Sequence, residues 1–142
     1  MKKNRKILYL LFLVLHSCGN TIQNDLLQKA FEAEKNLQYN KAINYFNAAV
    51  KENFMCADNY YHRGICYAYM VKPYKAIEDY SKAIKLQPNF LAAYQERASI
   101  YYAVAEYDLG LKDINFALQL DPKNKLSLNI KALFLEKISP GH

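Results

Sequence analysis

The sequence predicts an all-α fold built from short repeated units. Apolar residues recur at helical spacing through most of the chain after Gln23, and the same residue types return with a period of 34 residues. No stretch has the alternation of polar and apolar residues that is typical of a strand. Glycine occurs only 4 times in 142 residues, so few positions are left for long loops. Repeated helical units of this length stack into a solenoid, because one unit cannot bury its apolar face alone.

The repeat is clearest between Ala57 and Phe90, where aromatic residues, one glycine, one alanine and one proline stand at fixed offsets. These residues are Tyr60, Gly64, Tyr67, Ala76, Tyr80 and Pro88. One period earlier, the same offsets hold Leu26, Ala30, Ala33, Ala42, Phe46 and Phe54. One period later they hold Tyr94, Ala98, Tyr101, Gly110, Ile114 and Pro122, and a partial fourth copy holds Leu128, Ala132 and Leu135. The small residues should lie where one helix approaches its neighbour closely.

These residues and their spacing resemble the tetratricopeptide repeat family from about Gln23 to the end of the chain, with Arg63 in place of the leucine that usually precedes the glycine. The resemblance implies a right-handed solenoid in which each repeat is a pair of antiparallel helices. We expect Asn24 and Asp58 to cap the first helices of two repeats. The implied units are repeats at 23–56, 57–90 and 91–124, followed by a terminal helix at 125–138.

Residues 1–17 have the order of parts found in a signal peptide. Four basic residues, Lys2, Lys3, Arg5 and Lys6, precede the apolar run Ile7–Leu15. The nine residues of this run are too few to span a bilayer as a helix.

Cys18 follows the apolar run at once, in the segment Leu15-His16-Ser17-Cys18. This segment resembles the lipobox of bacterial lipoproteins, although His16 stands where that motif usually has a small or β-branched residue. The resemblance implies that Cys18 is acylated and anchors the mature protein in a membrane, with residues 18–22 as cysteine and tether. The alternatives are an ordinary signal peptide with an incidental cysteine, or an uncleaved anchor. Because Gly19 rather than aspartate follows the cysteine, and no acidic cluster comes next, the resemblance favours the outer membrane and a periplasm-facing domain.

The net charge suggests a nucleic-acid partner only until its distribution is considered. The formal charge is +6, of which the four basic residues near the N-terminus supply +4, so the rest of the chain carries +2. A nearly neutral domain lacks the basic footprint of a nucleic-acid binder. We therefore expect no nucleic-acid partner.

The side chains that usually carry chemistry are scattered along the sequence. Cys56 and Cys66 are predicted to be buried, unpaired thiols, since ten residues along what is mostly one helix separate them by about 10–15 Å, beyond the reach of a disulfide. His62 and His142 are too far apart to form a zinc-binding spacing. We predict no catalytic residue, no metal and no cofactor.

Neighbouring carboxylates could suggest acid–base chemistry, but their spacing argues against it. The pairs are Glu32 with Glu34 and Glu78 with Asp79. Residues one or two apart on a helix do not face one another, so both pairs are predicted to be solvated.

The family resemblance also implies a binding surface, because the first helix of each tetratricopeptide repeat lines a concave groove. The expected groove residues are Phe31, Tyr61, His62, Ile65, Tyr69, Gln95, Glu96, Tyr102 and Leu133. The alternative is that the tyrosines in this set only pack between repeats. The family's clamp of Lys, Asn and Arg for chaperone C-terminal carboxylates is not implied, because none of the matching positions fits it. Those positions are Leu27, Phe31, His62, Ala92 and Glu96.

The sequence therefore predicts a non-enzymatic module that binds a protein or peptide segment at a bacterial envelope membrane. The alternative is a permanent structural subunit of an envelope assembly, such as a secretion, pilus or outer-membrane assembly complex.

The terminal helix has two apolar stripes. One consists of Leu128, Ala132 and Leu135, and it should cover the third repeat. The other consists of Leu126, Ile130, Leu133 and Phe134. If both stripes are not buried within one chain, the helix offers a surface for self-association or for a partner.

Overall fold

The computed structural model describes residues 21–51 and 56–138. The predictions for the signal peptide, for Cys18 and its acyl chains, for Phe54 and for residues 139–142 lie outside these ranges. Within them the chain is all α-helical, and the all-α prediction is confirmed. The seven helices are α1 (Thr21–Lys35), α2 (Tyr39–Lys51), α3 (Ala57–Tyr69), α4 (Pro73–Leu86), α5 (Leu91–Ala103), α6 (Tyr107–Leu120) and α7 (Lys125–Ile138). None of these helices combines the length and hydropathy that a bilayer-spanning segment needs.

Each helix packs against the next one in the chain, and the most extensive contacts are those within the pairs α1–α2, α3–α4 and α5–α6. The odd-numbered helices also contact one another in sequence, α1 with α3, α3 with α5 and α5 with α7, whereas no such contacts join α2, α4 and α6. The first helices of the repeats therefore lie side by side and form one continuous face of the described chain.

The turns inside the three repeats share one backbone geometry. The residue after each first helix has a positive φ, at Leu37 (57°), Val71 (55°) and Ala105 (64°). The next backbone N–H then donates to a carbonyl near the end of that helix, as Lys72 does to Tyr67 at 2.9 Å. This hydrogen bond is the Schellman ending of a helix, which usually has glycine at the positive-φ position. All three turns therefore hold a side chain in a backbone conformation that L-residues disfavour.

The two predicted helix caps are wrong. Helix α1 begins at Thr21, so Asn24 lies inside it, and the last two residues of the predicted 18–22 tether are helical or adjoin the helix start. The N-cap of α3 is Cys56, whose backbone is extended at φ −105° and ψ 145°. Asp58 is the second residue of α3 instead, where its negative charge still favours the positive end of the helix dipole.

Close helix contacts depend on the small residues that define the repeat. At Gly64 an added Cβ would lie 2.8 Å from the ring of Tyr80, which is fully buried in α4. At Gly110 an added Cβ would overlap the ring of Phe134, which is fully buried in α7. The expected role of these two glycines is thus confirmed: each lets an aromatic ring lie directly on the backbone of its neighbour.

The stripe of α7 that was expected to cover the third repeat is exposed instead. Leu128 and Leu135 are each 46% exposed, and Ala132 is exposed as well. Helix α7 packs through Ser127 and Phe134, which are fully buried. In α3, the residues at the offsets of this stripe face the second helix of their own repeat, as Gly64 faces Tyr80. No second helix follows α7 within the described residues, and this explains the error.

Two arginines connect the repeats through buried ion pairs. Arg63 of α3 donates from Nε and Nη2 to both carboxylate oxygens of Asp79, at 2.6 and 2.7 Å, and from Nη1 to Asn47 of the preceding repeat at 2.7 Å. One period later, Arg97 donates to both oxygens of Asp113 at 2.7 Å and to Ser81 at 2.7 Å. The prediction of a solvated Asp79 is therefore wrong, because a bidentate arginine makes its burial tolerable.

Candidate functional site

The face formed by the first helices contains a cleft of about 390 Å³ between α1 and α3. Four of the predicted groove residues lie together there: Phe31, His62, Ile65 and Tyr69. The structure adds four further lining residues that the sequence reasoning did not select: Glu34, Lys35, Leu37 and Tyr39. The cleft is thus mainly aromatic and apolar, with a small number of charged groups at its edge.

Phe31 forms the apolar base of this cleft and is held in place by two rings. Its ring meets the buried ring of Phe46 edge to face, with centroids 5.6 Å apart, and meets the imidazole of His62 at 4.7 Å. Phe31 nevertheless remains partly exposed. A ring that is fixed from below and open above can bind an apolar side chain without losing much conformational entropy.

His62 and Glu34 form a polar pair across the two repeats. The Nδ1 atom of His62 lies 3.0 and 3.2 Å from the two carboxylate oxygens of Glu34. The side chain of Glu34 is largely buried, so the prediction that it is solvated is wrong. Its position, eleven residues after the start of the first repeat, belongs to the groove-lining set, and that offset was the signal that could have identified it.

Tyr69 supplies the most open aromatic surface of the cleft. It is 67% exposed and stacks on Tyr39 of α2, with centroids 4.9 Å apart and planes only 3° from parallel. Stacking fixes one face of the ring and leaves the other side of the residue accessible. Tyr69 can therefore offer both an apolar face and a hydroxyl to a bound segment.

Tyr61 lies next to His62 and continues the aromatic surface toward the third repeat. Its ring centroid is 5.2 Å from that of His62, 4.8 Å from that of Phe90 and 5.9 Å from that of Tyr80. Burial raises the pKa of Tyr61 to about 12, with a smaller contribution from the negative charges of Glu96 and Glu34. The hydroxyl is thus neutral near pH 7 and can donate or accept a hydrogen bond.

Glu96 occupies in α5 the position that His62 occupies in α3, one period of 34 residues later. It is half-buried, and burial raises the pKa of its carboxyl above the usual range. Within residues 21–51 and 56–138 this carboxylate has no hydrogen-bond or ion-pair partner. It is therefore a polar group of the groove that the rest of the described chain leaves unused.

Two other predicted groove residues help to hold α5 against α7. Gln95 is buried, and its Nε2 donates to Asn124 Oδ1 and to Ser127 Oγ, each at 2.8 Å. The half-buried ring of Tyr102 lies edge to face on Phe134, with centroids 5.4 Å apart. These contacts match the alternative that some of the selected residues pack between repeats. Leu133, the last of the predicted set, remains exposed on α7.

The thiols and possible metal ligands give no candidate for chemistry in the described ranges. Burial raises the pKa of Cys66 to about 12, which keeps the thiol protonated and unreactive near pH 7. Cys56 is only partly buried, contrary to expectation, and neither of these two cysteines forms a disulfide. Among residues 21–51 and 56–138, no three His, Cys, Asp or Glu side chains come together in a way that could hold a metal ion.

Comparisons with known proteins agree with this architecture. Residues 57–90 match the family model described as tetratricopeptide repeat. The chain is 28% identical over 115 residues to the Hsp70-Hsp90 organizing protein of Triticum aestivum, a match that covers 81% of this chain and 20% of that protein. It is 33% identical over 96 residues to the dynein axonemal assembly factor 4 of Pan troglodytes, covering 62% of this chain and 23% of that protein. The chain thus spans about a fifth of the length of these relatives.

Solved structures show the same fold over most of the chain. The Arabidopsis OM64 TPR domain superposes with a TM-score of 0.77 at 26% identity, covering 82% of this chain and 97% of that one. The first TPR of Spaghetti (RPAP3), bound to the HSP90 peptide SRMEEVD, superposes with a TM-score of 0.79 at 20% identity, covering 83% and 94%. Residues 57–90 are thus a tetratricopeptide repeat, and the described part of the chain has the fold of a tetratricopeptide-repeat domain.

Proposed function

We propose that the protein is a non-enzymatic module that captures a protein or peptide segment in the groove formed by its first helices. The observation that carries this proposal is the preformed cleft between α1 and α3, in which exposed aromatic rings are fixed by the rings beneath them. The printed descriptions of two structural neighbours name bound peptides of HSP90 and HSP70, which supports a binding role for the fold.

Binding in this groove relies on preorganised side chains. Phe31 and Ile65 provide an apolar base, and Tyr69 provides an exposed ring at the edge. An anchor side chain of the partner would be buried against these residues, while the hydroxyls of Tyr61 and Tyr69 would reach its backbone. Little has to be ordered on binding, since the rings are already held by Phe46 and Tyr39.

The partner that this groove selects differs in chemistry from the peptide SRMEEVD that one structural neighbour holds. That peptide ends in acidic residues. The positions that match the family's carboxylate clamp are Leu27, Phe31, His62, Ala92 and Glu96. His62 is already paired with Glu34, and Glu96 is itself acidic. An acidic C-terminus would thus meet no free cation at these five positions.

Site-specific photo-cross-linking tests the binding surface. We replace Tyr69 or Tyr74 with a photoreactive phenylalanine, irradiate cells and identify the cross-linked proteins by mass spectrometry. Tyr74 is a matched control, because it is 73% exposed, against 67% for Tyr69, but lies on the second helix α4. We expect a specific cross-linked partner only from position 69. Equal cross-linking from both positions, or from neither, would remove the groove as the binding site.

We propose further that acyl chains on Cys18 anchor the protein in a bacterial envelope membrane, namely the outer membrane on its periplasmic side. Support comes from the order of basic residues, nine apolar residues and the lipobox-like segment Leu15–Cys18. Two or more acyl chains suffice for stable anchoring. Cys18→Ala should release the protein from the membrane fraction or leave an uncleaved precursor, whereas the control Cys56→Ala should behave as the parent protein does. Unchanged mature mass and membrane attachment in Cys18→Ala would contradict the anchor.

A permanent structural subunit of an envelope assembly is the second candidate function. The exposed stripe of Leu128, Ala132 and Leu135 favours it, because this part of α7 is apolar and uncovered within the described chain. A second copy of the protein is one occupant that would cover this stripe, and the oligomeric state tests that occupant directly.

A further inference from the structure

Glu96 differs from the other shielded acidic residues of the described chain because nothing neutralises it. Asp79 and Asp113 are each held by both arms of an arginine, and Glu34 is held by His62. Glu96 is half-buried on α5 and takes part in no hydrogen bond or ion pair with residues 21–51 or 56–138. Its charge is therefore shielded from water without compensation from a cation.

The surroundings of Glu96 suit a donor that comes from outside the chain. The negative charge of Glu96 contributes, after burial, to raising the pKa of both Tyr61 and Tyr80, so the carboxylate lies close to both phenols. The hydroxyl oxygen of Tyr80 is buried and has no hydrogen-bond partner in the described ranges. Burial alone raises the pKa of Glu96, which shows that no nearby cation offsets it.

A half-buried carboxylate without a partner weakens the fold, because its charged form loses hydration and gains no internal contact in return. Residues of this kind are often explained by a role outside the folded chain. We propose that Glu96 binds a basic side chain, arginine or lysine, of the segment held in the groove. This proposal rests on the proposed binding function and assigns the partner its chemistry.

The geometry favours a cation with an extended apolar stem. The ring of Tyr61 lies beside the site and connects it to His62 and to the cleft between α1 and α3. An ammonium or guanidinium group can lie against such a ring while its N–H groups donate to the carboxylate. The stem of the side chain then covers apolar surface. The partner segment should thus carry apolar or aromatic residues for the cleft and a basic residue one repeat further along.

A display experiment tests the chemistry without knowledge of the natural partner. A random heptapeptide library is selected on the full chain in mild detergent, and in parallel on the variants Glu96→Gln and Glu106→Gln. Glu106 is a matched control, because it is an exposed glutamate in the turn after α5. We expect arginine or lysine to be enriched with the parent protein and with Glu106→Gln, and this enrichment to disappear with Glu96→Gln.

Affinity measurements on one selected peptide then separate charge from shape. Replacing its basic residue by the neutral isostere citrulline, or by norleucine in place of lysine, should weaken binding to the parent protein about tenfold. The same replacement should have little effect on binding to Glu96→Gln. If both peptides bind the parent protein equally, or if the loss is the same in Glu96→Gln, the role of Glu96 is overturned.

The outcomes also distinguish this inference from the binding function beneath it. Peptides that are enriched without a basic residue, and that compete at Tyr69, would overturn the role of Glu96 and leave the groove as the binding site. A library that yields no peptide dependent on Phe31 or Tyr69 would overturn both. Circular dichroism of each variant confirms that it is folded before its peptides are compared.

Discussion

Arg63 and Arg97 show how single residues allow charge to be buried between repeats. Each arginine holds an aspartate of its own repeat and a polar side chain of the preceding one, through three hydrogen bonds of 2.6–2.7 Å. The departure of Arg63 from the usual leucine of the family is therefore paired with Asp79. The pair fixes the contact between α3 and α4, and Asn47 extends it to α2.

The first prediction concerns this pair. Arg63→Leu restores the family's usual residue but leaves Asp79 buried without a cation, so it should lower the free energy of unfolding by about 3–5 kcal/mol. The double variant Arg63→Leu with Asp79→Leu removes both charges and should recover much of that loss. Urea denaturation of the two variants measures the difference. Equal stability of the single and double variants would show that the pair does not compensate a buried charge.

The second prediction follows from the raised pKa of Glu96. Because burial raises this pKa, the folded state binds the proton more tightly than the unfolded state does. The contribution of Glu96 to stability is thus fully present below the ordinary pKa of a glutamate, about 4.3, and is lost as the pH rises through the raised value. Glu96→Gln should be more stable than the parent protein at pH 7, and the gap should close toward pH 4. A variant that is less stable at pH 7 would assign Glu96 a structural role.

At the scale of helices and turns, the three within-repeat turns hold Leu37, Val71 and Ala105 at positive φ. Sequence offsets placed these turns well, since the helices on either side follow the repeat. Offsets did not show the conformation, because the family's pattern tolerates a side chain here when the Schellman hydrogen bond of the turn is satisfied.

The third prediction uses the most exposed of these residues. Val71 is 85% exposed, so replacing it removes little packing, and its β-branched side chain is the least suited of the three to a positive φ. Relief of about 1–2 kcal/mol of backbone strain, partly offset by the greater freedom of glycine in the unfolded chain, should make Val71→Gly more stable by about 0.5–1 kcal/mol. The melting temperature should rise. Val71→Ala keeps the strain of an L-residue and should gain less; an equal gain would show that the strain is not the cause.

The fourth prediction concerns the contact between α3 and α4 at Gly64. An added Cβ would lie 2.8 Å from a ring carbon of the fully buried Tyr80, so a larger side chain must displace that ring. Gly64→Leu should lower the free energy of unfolding by about 1–3 kcal/mol. Gly64→Ala gains helix propensity of about 1 kcal/mol and should still not exceed the parent protein in stability. A melting curve of Gly64→Leu that matches the parent protein would contradict the contact.

The sequence predicted helix positions better than it predicted side-chain environments, and the reason is physical. A period of 34 residues identifies which positions face a neighbouring helix, and Phe31, His62, Ile65 and Tyr69 indeed lie in one cleft. Contacts between side chains of different repeats do not follow from offsets. The hydrogen bond of Glu34 with His62 and the burial of Gln95 against α7 are of this kind.

At the scale of the whole molecule, the stack of helices leaves two kinds of apolar surface. One is the groove, where rings are held in place and polar groups stand among them. The other is the outer stripe of α7, which has apolar side chains at the offsets that α3 uses to pack against α4. The groove is shaped like a ligand site, whereas the stripe matches a missing helix contact. A second copy of α7 can supply that contact in a symmetric dimer.

The fifth prediction tests this dimer by light scattering on residues 19–142. The mass should rise from monomer to dimer with concentration, because Leu128, Ala132 and Leu135 of one copy would cover the same residues of another. Leu128→Lys with Leu135→Lys places like charges across the contact and should keep the protein monomeric. Leu109→Lys is the matched control, since Leu109 is 45% exposed, against 46% for each stripe leucine, but lies on α6; it should still dimerise. A parent protein that stays monomeric at the highest concentration removes self-association and leaves the stripe to a different partner.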